Sequence, residues 1–420
     1  MTFAPRKGRT HLAAVSLAGL SLAALSLAAL ALTAAPARAQ APLKIGVLSD
    51  FSSVYSDIGG QGNLEATKLA VEEFGGTMFG KPIEVISADP QNKADIAASI
   101  ARKWYENEGV DMIIDMPTSA TALAGMEMSK QFEKLMIVTD AASSDITGKS
   151  CSPYTVHWTY DTYGNAHTVG SAIVKNGGTS WFFITADYLF GHSIERDTGD
   201  VVRAAGGTVV GSARHPLNNQ DFSSFLLQAQ ASKAKIIGMA NGGGDTINTI
   251  KQAAEFGITK GGQKLAALLL FLTDVKSIGL DIAQGLNFTE TFYWDMNDQT
   301  RAFSERFAKR MKNGAPPTMV QAGVYAGLLH YFKALEALGE NPHDGVKIVE
   351  KMKSIPTEDA LFGKGEIQPN GRTIHTAYLF EVKKPSESKA PWDLYKLVGS
   401  VPGDQAFTPL DKSACALLKK

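Results

Sequence analysis

Cysteine is almost absent: the 420 residues carry only Cys151 and Cys415. Cysteine-built zinc frameworks and dense disulfide scaffolds are therefore excluded. An excess of charge of one sign is also missing, since 41 Lys plus Arg stand against 42 Asp plus Glu. With no basic surplus, nothing points to a nucleic-acid partner. The eight histidines include no pair at i, i+3 or i, i+4, so no helix offers a local zinc site. There is no Gly-x-Ser-x-Gly elbow for a nucleophilic serine. Gly148-Lys149-Ser150 ends like a phosphate loop, but Ser143 stands where the opening glycine is required. The glycine clusters Gly59-Gly60-Gln61-Gly62 and Gly242-Gly243-Gly244 lack the spacing of a dinucleotide fingerprint. No cofactor, metal or enzymatic chemistry is expected.

What is present begins with an export signal. Arg6, Lys7 and Arg9 precede an Ala/Leu/Ser run from Leu12 to Ala35, followed by the small-x-small site Ala37-Arg38-Ala39. Residues 1–39 read as a signal peptide, with an uncleaved anchor as the competing reading because the run is long. No later stretch is long and apolar enough to span a bilayer; Leu265 to Leu272 is only strand-sized. An exported chain meets an oxidising compartment, so Cys151 and Cys415 are expected to pair, two buried free thiols being the alternative. Chain-entropy models assign a loop of this length about 4 to 5 kcal/mol.

From Leu43 onward short apolar strands alternate with helical spacing. Leu43–Leu48, Ile83–Ala88, Met112–Asp115, Met136–Thr139, Ser180–Ile184, Thr208–Ser212, Ile236–Ala240 and Leu265–Leu272 read as strands. This repetition predicts an α/β fold of parallel sheets flanked by helices, with ligands at the carboxyl ends of the strands. Extended segments at Thr155–Asn165 and Glu290–Asp295 suggest crossings between two such sheets in series.

Ordered landmarks then carry a resemblance. They are Lys44-Ile45-Gly46-Val47 with Asp57-Ile58-Gly59, the turn Pro117-Thr118-Ser119-Ala120-Thr121, Leu135-Met136-Ile137-Val138 followed by Ala141-Ala142-Ser143-Ser144, and Asp187-Tyr188-Leu189-Phe190-Gly191. The chain resembles the type I periplasmic solute-binding proteins of ABC importers, in the branched-chain amino-acid-binding-protein-like group. The resemblance implies two Rossmann-like lobes joined by a three-segment hinge. The lobes are placed at 43–160 plus 295–370 and at 161–294 plus 371–400, with a C-terminal tail at 401–420. It also implies a monomer in the periplasm that hands a small molecule to a membrane permease and its ATPase. A sensor of the same fold is the alternative role.

By matching turns, the resemblance puts a carboxylate against Ser119, Ala141, Ala142 and Ser143, where helix starts present unpaired N–H groups. Ser119 and Ser143 as ordinary helix caps is the competing reading. The amino-acid binders of the family hold the ligand's ammonium with an acid of the second lobe. Here the matching stretch is apolar, Asp274 comes late, and Phe190 replaces the usual tyrosine. Aromatics gather instead at Phe51, Tyr55, Trp158, Tyr160, Tyr188, Phe190, Tyr293 and Trp294. Of these Tyr55, Trp158, Tyr160, Tyr188, Phe190 and Tyr293 are expected around the ligand, although aromatics at crossovers also serve as core. Together these features imply a small aromatic carboxylate, of benzoate or phenylpropenoate type, with a branched-chain amino acid as the alternative.

Overall fold

The computed structural model describes residues 1–4 and 42–419. Residues 5–39 of the expected signal peptide lie outside the described residues. Among the described residues no helix is long and apolar enough to cross a membrane.

The first sheet has the order β2-β3-β1-β4-β5-β6, where β1 is Leu43–Leu48, β2 Thr77–Met78, β3 Lys81–Ala88, β4 Met112–Asp115, β5 Leu135–Val138 and β6 Thr155–His157. All of its pairs are parallel except the edge pair of β2 with β3. Helices α1 (Gly60–Glu73), α2 (Ala94–Asn107) and α3 (Ser119–Gln131) make the crossovers. Ala97, Ala101 and Trp104 recur at helical spacing, and this face of α2 packs on Leu48, Ile113 and Met126. The central strands are apolar on both sides because helices cover both faces.

A second sheet has the order β10-β9-β7-β8 and is parallel throughout, with β7 at Ser180–Ala186, β8 at Thr208–His215, β9 at Ile236–Ala240 and β10 at Lys264–Ala267. Its crossovers are α4 (Leu189–Ala204), α5 (Ser223–Ala231) and α6 (Gly243–Glu255), and the short helix α7 (Leu272–Ile278) follows β10. Each sheet reverses its winding next to its first strand, between β1 and β4 and between β7 and β9, which makes the carboxyl-end crevices at those points the places for a ligand.

The chain passes between the two units three times, at residues 158–161, 291–295 and 372–376. The long helix α8 (Met319–Leu338) returns to the first unit and packs beside α1. An antiparallel sheet of β11 (Asn287–Glu290), β12 (Ala377–Val382) and β13 (Tyr395–Val401) joins the second unit through a core of Phe288, Tyr293, Phe380 and Tyr395 with Met239 and Ala267. This is the two-lobed, hinged α/β architecture expected from the sequence. Cys151 and Cys415 form a disulfide that ties the C-terminal tail to the first unit.

One strand is shorter than its apolar run. β10 stops at Ala267, and Leu268 to Phe271 form a turn into α7. The turn stays apolar because it is covered: Leu268, Leu269, Leu270 and Phe271 are all buried.

Candidate functional site

The two crevices face each other across a narrow cleft with about 10 Å³ of free volume. From the first unit come Tyr55 after β1, Pro117, Thr118 and Ser119 after β4, Asp140, Ala141 and Ala142 after β5, and Tyr160 at the first crossing. From the second come Tyr188 and Phe190 after β7 and Leu269 and Phe271 after β10.

The first wall is polar without being charged by any basic residue. Asp115 and Met116 both hold positive φ, 95° and 72°, and this strained pair turns the chain into α3. Thr118 is the N-cap: its hydroxyl accepts from the Thr121 N–H at 3.2 Å, and the Thr121 hydroxyl accepts from the Thr118 N–H at 3.1 Å. With capping done by Thr118, the hydroxyl of Ser119 is free for other work. It accepts from the Ser143 N–H at 3.1 Å and keeps its own proton to donate. The Ser119 N–H lies in the first turn, with no partner in its own helix. The Ala142 N–H has no acceptor among the described residues. The Ala141 N–H is taken by the Met116 carbonyl at 2.9 Å, so Ala142 is the free backbone donor of this pair. A helix start with free N–H groups and a donating hydroxyl is a slot for a carboxylate.

The second wall is aromatic and aliphatic. Phe190 packs 5.9 Å from Tyr188, and Phe271 meets the edge of Tyr160 at 6.0 Å. Tyr160 is fixed by donating to the Asp140 carbonyl at 2.7 Å. Burial raises the Tyr55, Tyr160 and Tyr188 hydroxyls above the ordinary tyrosine range, so all three are neutral near pH 7. No acid of the second lobe is among the residues that line the cleft. Asp274 caps α7, accepting from the Phe271 N–H at 3.0 Å, and Glu290 accepts from the Tyr395 hydroxyl at 3.2 Å.

Three sequence-predicted residues lie elsewhere. The Ser143 hydroxyl bonds Ser193 at 2.7 Å and caps a short turn through the Asp145 N–H. Trp158 is buried against His330, at 5.4 Å between rings. Tyr293 stacks on Tyr395 at 4.7 Å, and its hydroxyl accepts from the Leu394 N–H. Sequence reasoning missed Asp140, Leu269 and Phe271. The two apolar residues sat inside what read as a strand, and a single acid after a strand carried no signal.

The two walls are drawn together by direct bonds. The Tyr55 and Tyr188 hydroxyls meet at 2.7 Å, and the Gly244 N–H donates to the Val54 carbonyl at 3.2 Å. Gly243, at φ +55°, makes the second contact possible: a Cβ there would press into the Val54 carbonyl and lie 2.9 Å from the Tyr55 ring. Gly243→Ala is therefore expected to open the cleft and raise the radius of gyration in small-angle scattering. Gly262→Ala, at φ +96° with nothing within 4 Å, carries similar backbone strain and should leave the radius unchanged. Equal radii for both variants would refute the role given to the Gly243 contact.

A periplasmic binding protein family model matches residues 42–389. The chain belongs to the periplasmic binding protein family. A periplasmic binding protein from Burkholderia mallei is similar at 50% identity and TM-score 0.87, covering 90% of this chain and 99% of that one. A branched-chain amino acid ABC transporter periplasmic ligand-binding protein from Burkholderia xenovorans LB400 is similar at 42% identity and TM-score 0.80, over 90% and 100%. An ABC-transporter solute-binding protein from Rhodopseudomonas palustris BisB5, solved with 3,4-dihydroxybenzoic acid, is similar at 25% identity and TM-score 0.77, over 86% and 98%. As a family member, this chain is a solute-binding protein of an ABC transporter, and the cleft between its lobes is the place to look for the solute.

Proposed function

We propose that this binding protein captures a small aromatic carboxylate of benzoate or phenylpropenoate type in the periplasm and delivers it to the permease and ATPase of an ABC importer. The lobes that close on it are residues 43–160 plus 295–370 and 161–294 plus 371–400. The observation that carries the reading is the pairing of two walls. The Ser119 hydroxyl, the Ser119 N–H and the free Ala142 N–H make an anion slot, opposite an apolar wall of Phe190, Leu269 and Phe271. The carboxylate lies in the slot, and the ring packs between Tyr160, Phe190 and Phe271 through offset and edge contacts. An ammonium would meet no acid on the second wall and would be buried without a partner there, which costs several kcal/mol. The Rhodopseudomonas palustris relative solved with a dihydroxybenzoate supports the same ligand class.

The slot is tested at Ser119. Its hydroxyl would donate a charge-assisted bond, so Ser119→Ala should weaken benzoate or 4-hydroxybenzoate binding by about 1.5 to 3 kcal/mol, roughly ten- to 150-fold, in titration calorimetry. Unchanged affinity would remove Ser119 from the slot.

The second reading is a branched-chain amino acid, favoured by the name of the Burkholderia xenovorans relative at 42% identity. Asp140 would then have to hold the ammonium from the same wall as the carboxylate slot.

A further inference from the structure

We propose that Asp140 contacts the ligand as a neutral acid, its protonated carboxyl donating a hydrogen bond to the carboxylate held at Ser119 and Ala142. The proposal rests on the carboxylate reading above and adds the residue that separates plain carboxylates from amino acids.

Asp140 sits between the end of β5 and the Ala141-Ala142 turn and lines the cavity, yet only 5% of it is exposed. Among the described residues its side chain makes no hydrogen bond, and Oδ2 is buried without a partner. Oδ2 lies beside Gly59 together with the Asn63 amide and the Ser49 hydroxyl: a Cβ on Gly59 would meet all three. The charges that face it are all acidic: Asp115 at the end of β4, Asp50 after β1 and Asp274 on α7. No Lys, Arg or His lines the cavity. Burial first, and then these three carboxylates, push the Asp140 carboxyl well above the usual range.

A ligand carboxylate a few ångströms away strengthens the effect, because two carboxylates sharing a dry site hold one proton between them. The proton stays on Asp140, and its O–H becomes a third donor for the ligand. An ammonium in the same space would pull Asp140 into its ionised form and lose that donor. The sign follows from linkage. Affinity is full below the pKa of Asp140 in the free protein, and falls by roughly tenfold per pH unit above it.

Asp140→Asn keeps an N–H donor and cannot ionise. With benzoate as the probe, calorimetry should find the variant within a few-fold of the wild type at low pH, and its affinity should stay level where that of the wild type falls. An Asp140→Asn variant more than tenfold weaker at low pH, or one that keeps the wild-type pH slope, would overturn the proposal. Carbon-13 NMR of aspartate carboxyls in the ligand-free wild type, assigned by the missing signal in Asp140→Asn, gives a readout independent of any ligand. Titration of Asp140 in the ordinary carboxylate range would also overturn it. If the wild type ignores benzoate but binds leucine, and Asp140→Asn abolishes that binding, Asp140 is an ammonium anchor and the proposal fails. Benzoate binding by the wild type together with a normally titrating Asp140 would leave the ligand class standing and remove only this residue's role.

Discussion

Replacing Arg372 with leucine should destabilise the protein by about 3 to 5 kcal/mol, the range for removing one partner of a buried ion pair. Arg372 is 2% exposed, and its guanidinium donates to the carbonyls of Tyr160 at 2.8 Å, Trp158 at 2.9 Å and Thr373 at 3.0 Å. Asp161 lies 3.8 Å away, and the Phe407 ring of the C-terminal tail lies 4.4 Å below the guanidinium carbon. One side chain thus ties the first crossing, the third crossing and the tail. Burial lowers its pKa to about 10, which still leaves it cationic at neutral pH. Without it, three carbonyls lose donors and Asp161 loses its counter-charge, each a burial of unpaired polarity. For a chain of this size the melting temperature should fall by roughly 5 °C. Arg372→Lys keeps the charge but not the planar fork, and should fall between wild type and leucine. A melting temperature unchanged in the leucine variant would mean that the crossings are held by something else.

Breaking the Cys151–Cys415 bridge should have the next largest effect. The bridge closes a separation of 264 residues, and removing a native disulfide typically costs about 2 to 5 kcal/mol. Its local role is to hold the tail, whose other anchors are few: Ala406 and Phe407 pack on Ile374 and Ala377, with His375 at the edge of the Phe407 ring. A Cys151→Ser, Cys415→Ser variant should melt at lower temperature, and limited proteolysis should clip it in the tail before the body is cut. Because Phe407 also covers Arg372, this variant and Arg372→Leu should combine non-additively. An unshifted melting temperature with a tail as resistant as the wild type's would contradict the assignment.

Much of the scaffold is legible in the sequence because buried parallel strands announce themselves as short apolar runs. Leu43–Leu48, Met112–Asp115 and Ile236–Ala240 are found at the residues predicted. The run Leu265–Leu272 misleads for a physical reason: a turn covered by the opposite wall is as apolar as a strand, and periodicity does not separate them. At the site, the position of Ser119 is legible as a turn after a strand. That Thr118 takes the cap is written in the Thr118-x-x-Thr121 spacing but is decided only by geometry. The loss of the Ala141 N–H to Met116 depends on two residues in left-handed conformation, which no side-chain pattern reveals. Trp158 and Tyr293 show the other limit. Aromatics at a crossing serve the hinge core or the ligand equally well by sequence, and packing decides.

The central claim is that the cleft takes an aromatic carboxylate, and a thermal-shift panel tests it most directly. A ligand that binds only the folded state raises the melting temperature with its concentration, by about 2.7 kcal/mol of stability at a hundred times its Kd. Benzoate, 4-hydroxybenzoate, 3,4-dihydroxybenzoate and cinnamate should include at least one compound that raises it by several degrees in a dose-dependent way. Leucine, isoleucine and valine should leave it unchanged. Dose-dependent stabilisation by leucine, with none by any aromatic acid, would contradict the account.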